Sequence, residues 1–175
     1  MNANEYVYRA STLALSQFEI EKRGLPLNVN NRFILKLRDV PIKNTTTDNE
    51  IIKLIYNYVI SPHIVYTLTF DDECIEEGDR IYFGTTNYHR LYISKDSGEI
   101  RGADFEEENE VIFVAKDDKH FFDSLFLVLK LSSDLLKGKI SIEDSNATNS
   151  TFAECVEMAG GRKYRFFYQS LGFLI

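Results

Sequence analysis

The residues with the most intrinsic chemistry are three histidines, two cysteines and a set of carboxylates. His63, His89 and His120 fall in three separate stretches, and no HExxH or His–Cys spacing makes two of them ligands of one metal. They read as surface or edge residues. A reactive thiolate needs a cationic neighbour, whereas Cys74 lies among Asp72, Glu73, Glu76 and Glu77, whose charge raises a thiol pKa. Cys155 falls on the apolar side of a helical pattern and reads as core. No serine stands in a nucleophile elbow, and no glycine-rich phosphate cradle follows a strand. Asp71, Asp72, Asp104, Glu106, Glu107 and Asp117 could gather two metal ions or form an acid/base pair, but their spacing selects no two of them. Catalytic residues, a metal and a cofactor are therefore not expected.

The elements that would position these groups follow from periodicity. The first twenty residues, with Tyr6, Leu13, Phe18 and Ile20 between polar positions, predict a helix that Gly24 and Pro26 stop. Phe33, Leu35 and Leu37 alternate with charges over 31–39 and suit a half-buried strand, with a short helix as competitor. Residues 25–47 as a whole remain open between strand, helix and loop. A helix beginning near Asp48 and Glu50 carries Ile51, Ile52, Leu54, Ile55, Tyr58 and Val59 on one face. Pro62 bars its continuation, and 64–70 reads as a strand. Four short strands follow at 80–85, 89–95, 98–104 and 111–117. The second and third are joined by the tight turn Lys95-Asp96-Ser97-Gly98, so they should be antiparallel neighbours.

Beyond them an apolar stripe of Phe121, Phe122, Leu125, Leu129 and Leu136 predicts a long helix from Lys119. A polar connection follows, with room for a short strand at Ile140 and Ile142. Next come a helix through Phe152, Val156 and Met158 that ends at Gly160-Gly161, and a final aromatic helix over 163–173. The sum is one α+β domain spanning 1–175. Its antiparallel meander sheet of four to six strands packs against flanking helices, and its C-terminal third is helical.

Composition narrows the class further. With 44% apolar and 27% charged residues the chain can fill a core, which excludes the disordered and low-complexity classes. No apolar run approaches the roughly 20 residues of a bilayer span, and the N-terminal stretch is polar where a secretory leader is apolar. A cytoplasmic protein without a membrane partner is expected. The net charge of −7 is unevenly placed: residues 71–118 hold fifteen acidic residues against five basic ones, and the rest is mildly basic. A one-signed field of this kind steers a cationic partner and repels nucleic acid. Arg162, Lys163 and Arg165 adjoin four aromatics, but at a helical spacing that seals a core, so no nucleic-acid partner is expected.

One stretch carries a family pattern. Residues 81–130 hold a strand ending in Phe83-Gly84, a strand with Leu91 and Ile93, and a turn of Asp96, Ser97, Gly98 and Glu99. A strand with an acidic end at Asp104, the "VIFVAK" strand, and a helix with a Phe-Leu stripe complete it. This arrangement resembles the core of the SUKH superfamily of bacterial immunity proteins, and within it the fourth branch. "GLP" at 24–26 resembles the entry after that family's first helix, and "AGGRKYRFFYQSLGFLI" its terminal helix. Ala115-Lys116-Asp117-Asp118 stands where members carry an Asn-Ser turn.

The resemblance implies a non-catalytic α+β protein that binds and neutralises a cognate toxin, often a nuclease or deaminase. An intracellular adaptor on the same scaffold is the alternative, and a carboxylate hydrolase a more distant one. On the toxin-binding reading, contacts are expected from Asp71, Asp72, Glu73, Glu76, Glu77, Asp79, Asp104, Glu106, Glu107, Glu108 and Glu110, with exposed Tyr88 or Tyr92 as an aromatic anchor.

Overall fold

The chain begins with an Asn2 cap: its side chain accepts from the Glu5 N–H at 2.8 Å and starts helix α1 (Ala3–Ser11). The expected single N-terminal helix is in fact two. Asn30 reaches back to bond both the N–H and the carbonyl of Leu15, at 2.8 Å each, and so holds that residue out of helical pairing. Ser16 then opens α2 (Gln17–Arg23) through a reciprocal capping box with Glu19, and Gly24 closes it with φ of 62°. The computed structural model describes residues 1–42, 47–60, 63–107 and 111–173, so Pro62 lies outside the described residues.

Residues 27–32 form a 3₁₀ turn rather than a strand, and only β1 (Lys36–Leu37) pairs, antiparallel with β2 (Tyr58–Val59). Phe33 and Leu35 are buried as their alternation predicts, but Leu37 is exposed. Helix α3 (Glu50–Asn57) is capped by Asn49, and Tyr58 and Val59 leave it for β2 instead of extending it.

The main sheet has six antiparallel strands in chain order: β3 (Ile64–Val65), β4 (Leu68–Glu77), β5 (Arg80–Thr85), β6 (His89–Ser94), β7 (Ile100–Asp104) and β8 (Val111–Ala115). The protein is thus α+β, with the expected meander intact and extended at one edge. The extension comes from β4. The strand runs through the acidic segment Asp71–Glu77: after an irregular stretch between Phe70 and Ile75, pairing with β5 resumes at Ile75, Glu76 and Glu77 opposite Tyr82, Ile81 and Arg80. Gly84 permits this pairing: a Cβ there would lie 2.4 Å from the Thr69 carbonyl oxygen. Gly98, with φ of 71°, closes the β6–β7 connection.

One face of the sheet, with Leu68, Phe83, Leu91, Ile93, Ile100 and Val114, is buried against the helices. Helix α4 (Asp118–Leu136) supplies Phe121, Phe122 and Leu125; Phe122 stacks on Tyr6 at 4.7 Å, and Phe121 meets Phe83 edge-on at 5.7 Å. Helix α5 (Ser145–Ala159) covers α4 and buries Cys155, whose thiol burial pushes up to about 12. Met158 faces solvent, and Ile142 is exposed in a turn where a strand was expected. The final segment is not one helix. A 3₁₀ turn (Arg162–Tyr164), the single α-turn α6 (Arg165–Tyr168) and a π turn (Gln169–Phe173) succeed one another while Tyr164, Phe167, Tyr168 and Leu171 stay buried. Among the described residues no helix is long and apolar enough to cross a membrane.

Candidate functional site

The acidic residues of 71–118 are distributed to different places by the sheet register. Glu76, Glu77 and Asp79 lie at the β4–β5 turn, beside the β6–β7 connection. Asp104 ends β7, opposite His89, and Glu106 and Glu107 follow it. The six residues of β5 separate these two ends by roughly 17 Å. Asp71, Asp72 and Glu73 occupy the irregular middle of β4. There burial raises the Asp71 carboxyl above its ordinary range, with Arg90 acting in the opposite direction and Asp72 adding to the rise. Glu108 and Glu110 lie outside the described residues.

At the turn end the charges are answered. Lys95 pairs with Glu76 at 2.9 Å and donates to the Gly78 carbonyl at 3.0 Å; Arg90 reaches Glu77 at 3.3 Å, and Arg80 lies 3.9 Å from Asp79. Next to them Glu99, almost fully buried, accepts from Lys163 at 2.5 Å, Tyr164 at 2.9 Å and Arg101 at 2.9 Å. Burial alone would raise its carboxyl, but these three donors outweigh it and hold the group below its ordinary range. Glu99 therefore fastens the C-terminal turns to the sheet, a structural role that its place in a hairpin turn does not advertise.

The helix-free face of the sheet continues the same logic. Arg90 lies 3.7 Å over the Tyr82 ring, Arg80 4.8 Å over Tyr92, and Lys163 3.9 Å over Phe113. Tyr92, expected as an exposed anchor, is only 2% exposed under this cover, and Tyr82 is 6% exposed. Of the two anchors proposed, Tyr88 alone is at the surface, at 61% exposure. The signal for the covering was present: Arg80-x-Tyr82 and Arg90-x-Tyr92 put each pair on one face of neighbouring strands.

The Asp104 end differs. Oδ1 of Asp104 accepts from the backbone N–H groups of Glu106 at 2.7 Å and Glu107 at 3.2 Å, which hold its carboxyl below the ordinary range. The remaining oxygen, Oδ2, lies 4.0 Å from His89 Nε2, and neither Glu106 nor Glu107 forms an ion pair among the described residues. Burial pushes the His89 pKa down, with Asp104 opposing, so the ring is neutral at physiological pH. Its Nδ1 is buried without a hydrogen-bond partner among the described residues. A cleft of about 490 Å³ opens here, with His89, Asp104 and Ile112 in its lining and Tyr88 and Phe166 among its walls. Phe105, half exposed, is joined to Tyr88 by a 3.2 Å backbone hydrogen bond.

Phe105 and Phe166 were missed as surface aromatics, one inside an acidic run and the other inside a helix pattern that reads as core. His63 and His89 are also buried, contrary to the surface reading. His63 is sealed against Tyr6, whose hydroxyl shares a 3.0 Å hydrogen bond with Nε2, and burial lowers its pKa to about 4 despite the nearby Arg32 backbone. Asp117 caps α4 and bonds His120 at 2.6 Å. Cys74 is buried, and no three His, Cys, Asp or Glu side chains converge to hold a metal among the described residues. Fold and surface together define an α+β protein with a one-sided antiparallel sheet and an acidic, aromatic-rimmed cleft at one sheet end. Comparison with protein-family models, curated proteins and solved structures returns no match.

Proposed function

We propose that this chain is a non-catalytic, cytoplasmic immunity protein of the SUKH type, which binds a cognate protein toxin and neutralises it by occupying a basic, nucleic-acid-handling surface. The reading draws on the motif resemblance of residues 81–130. The structural observation that carries it is the Asp104 end of the sheet: carboxylates without cationic partners beside the exposed rings of Tyr88, Phe105 and Phe166. A toxin that acts on nucleic acid must present cations to phosphate. An uncompensated acidic patch raises the rate of encounter with such a surface, and exposed aromatics supply the buried contact once docked. Nucleic acid itself is a poor ligand for the open sheet face, since its tyrosines are covered by guanidinium groups and offer no ring to a base.

The test is co-expression with the product of the adjacent gene, joined to stopped-flow association of the purified pair. Rescue of growth with 1:1 binding is expected, and the double reversal Glu106→Lys/Glu107→Lys should slow association by about tenfold at low salt. Binding without rescue would turn the reading toward an adaptor. An association rate indifferent to both the reversal and salt would overturn its electrostatic basis.

A further inference from the structure

We infer that the cleft walled by Tyr88, Asp104 and Phe166 receives a single arginine side chain of the protein partner, its guanidinium lying against the two rings and donating to Asp104 Oδ2. The inference rests on the function proposed above and specifies its anchor. The open cleft, of about 490 Å³, has room for one side chain of a partner. The sign of the ligand follows from the floor. Asp104 is held as a carboxylate by two backbone N–H groups on Oδ1, so the negative charge persists while Oδ2 keeps its capacity to accept. With Nε2 facing that carboxylate, the His89 proton belongs on Nε2, and the ring stands behind Oδ2 as a neutral neighbour and not as a competing cation.

The His89 side chain is about nine-tenths buried, so it belongs to the packed lining behind Asp104 and not to a solvent-washed rim. A fixed carboxylate beside two exposed aromatic walls calls for a flat cation that can donate to the one while it covers the others. Guanidinium meets this description better than ammonium, because it is planar, weakly hydrated and able to donate in its plane while its face covers a ring. Charge complementarity extends outward: Glu106 and Glu107 at the rim make no ion pair among the described residues, so a basic partner surface surrounding the arginine meets no competing cation.

The experiment titrates the isotope-labelled full chain with N-acetyl-arginine amide, and in parallel with its citrulline and lysine analogues, following amide and imidazole NMR shifts. Saturable shifts at Tyr88, His89 and Glu106 are expected with half-saturation near ~10 mM, and citrulline should bind at least about fivefold more weakly. Asp104→Asn retains the oxygen that accepts from Glu106 and Glu107, so it keeps the turn, and should weaken arginine binding about tenfold. Tyr88→Ala and Phe166→Ala, both at exposed positions, should each weaken it a few-fold.

Equal binding of citrulline, equal binding of lysine, shifts confined to Glu76–Asp79, or no saturation by about 100 mM would each overturn the assignment. The two levels separate cleanly. If the partner test fails while arginine still binds through Asp104, the immunity reading falls and the cleft stands. If rescue and association survive in Asp104→Asn after arginine binding is lost, the cleft is not the anchor and the immunity reading stands.

Discussion

The two ends of the six-stranded sheet hold carboxylates of the same kind in opposite states. Around the β4–β5 turn, Glu76, Glu77, Asp79 and Glu99 lie against Lys95, Arg90, Arg80, Arg101 and Lys163. Roughly 17 Å away, Asp104, Glu106 and Glu107 have a neutral histidine for company. Sequence charge counting treats the two alike, because each lies within one strongly acidic segment. The distinction is made by register and side-chain reach: Arg80, Lys95 and Arg101 lie toward the turn end, Arg90, although paired with Thr85 and Ala103, extends back to Glu77, and the exposed rings of Tyr88 and Phe105 flank the other end. The first end spends its charge on holding the fold together, and only the second has charge left for a partner.

The largest expected effect would break this arrangement at its root. Gly84→Ala places a Cβ against the Thr69 carbonyl oxygen, which belongs to backbone and cannot step aside. β4 should be displaced from β5, removing Glu76 and Glu77 from their cations, at a cost of about 3 kcal/mol in urea unfolding. The Asp104 end, built on β6 and β7, should keep its arginine response in whatever fraction remains folded.

A comparable effect comes from acid. His63 lies against Tyr6 and Phe70, neutral in the folded protein with its pKa lowered to about 4 from 6.5. Its contribution is fully present above pH 6.5 and is lost as pH falls toward 4, for a total of about 3 kcal/mol. Glu99, at the turn end, is depressed in the other class: its contribution is present above the ordinary carboxylate value of 4.5 and is lost only below it. A stability–pH curve should therefore fall in two limbs, and His63→Gln should flatten the upper one alone. A single carboxylate-range transition, unchanged by His63→Gln, would show that the histidine is not sealed.

Next in size is a direct contrast between the ends. Glu99→Ala strands Lys163, Arg101 and the Tyr164 hydroxyl around a buried gap, and should cost about 2 kcal/mol and loosen the C-terminal turns. Glu106→Ala with Glu107→Ala removes two charges, one more than Glu99→Ala, and should still leave the urea midpoint where it was. Equal losses at the two ends would erase the distinction between structural and unspent charge.

Much of the scaffold was readable, for identifiable reasons. The meander from Arg80 to Ala115 alternates cleanly and is punctuated by Gly98, and α4 and α5 carry stripes with an Asp cap and a Gly160 stop. What escaped depended on distant partners. The break between α1 and α2 is made by Asn30, which no local pattern around Leu15 reveals. The acidic stretch of β4 is a poor strand by composition, and is one because β5 supplies the ladder.

At the site, Tyr88 and the Asp104–Glu107 run were legible, as an aromatic in a turn and a charge cluster. Tyr92 was not, because its alternation gives the face but not what covers that face. The burial of His89, and with it the floor of the cleft, follows from pairing with β7 and from the approach of Phe166, some eighty positions along the chain.

The smallest effect tests whether compensation is what separates the ends. Lys95→Gln removes the cation from Glu76 while leaving an amide that can still donate to the Gly78 carbonyl. Because the pair is exposed, its loss should cost only about 0.5 kcal/mol, and the difference from wild type should shrink as salt is raised from about 0.05 to 0.5 M. The same substitution makes the turn end more negative. If uncompensated charge is what attracts a cationic partner, association should become slightly faster and the reversal at Glu106 and Glu107 less damaging, since a second acidic patch has been opened. If instead the rate is unaltered, attraction depends on the aromatic-rimmed cleft at Asp104, and charge left free elsewhere on the sheet contributes nothing.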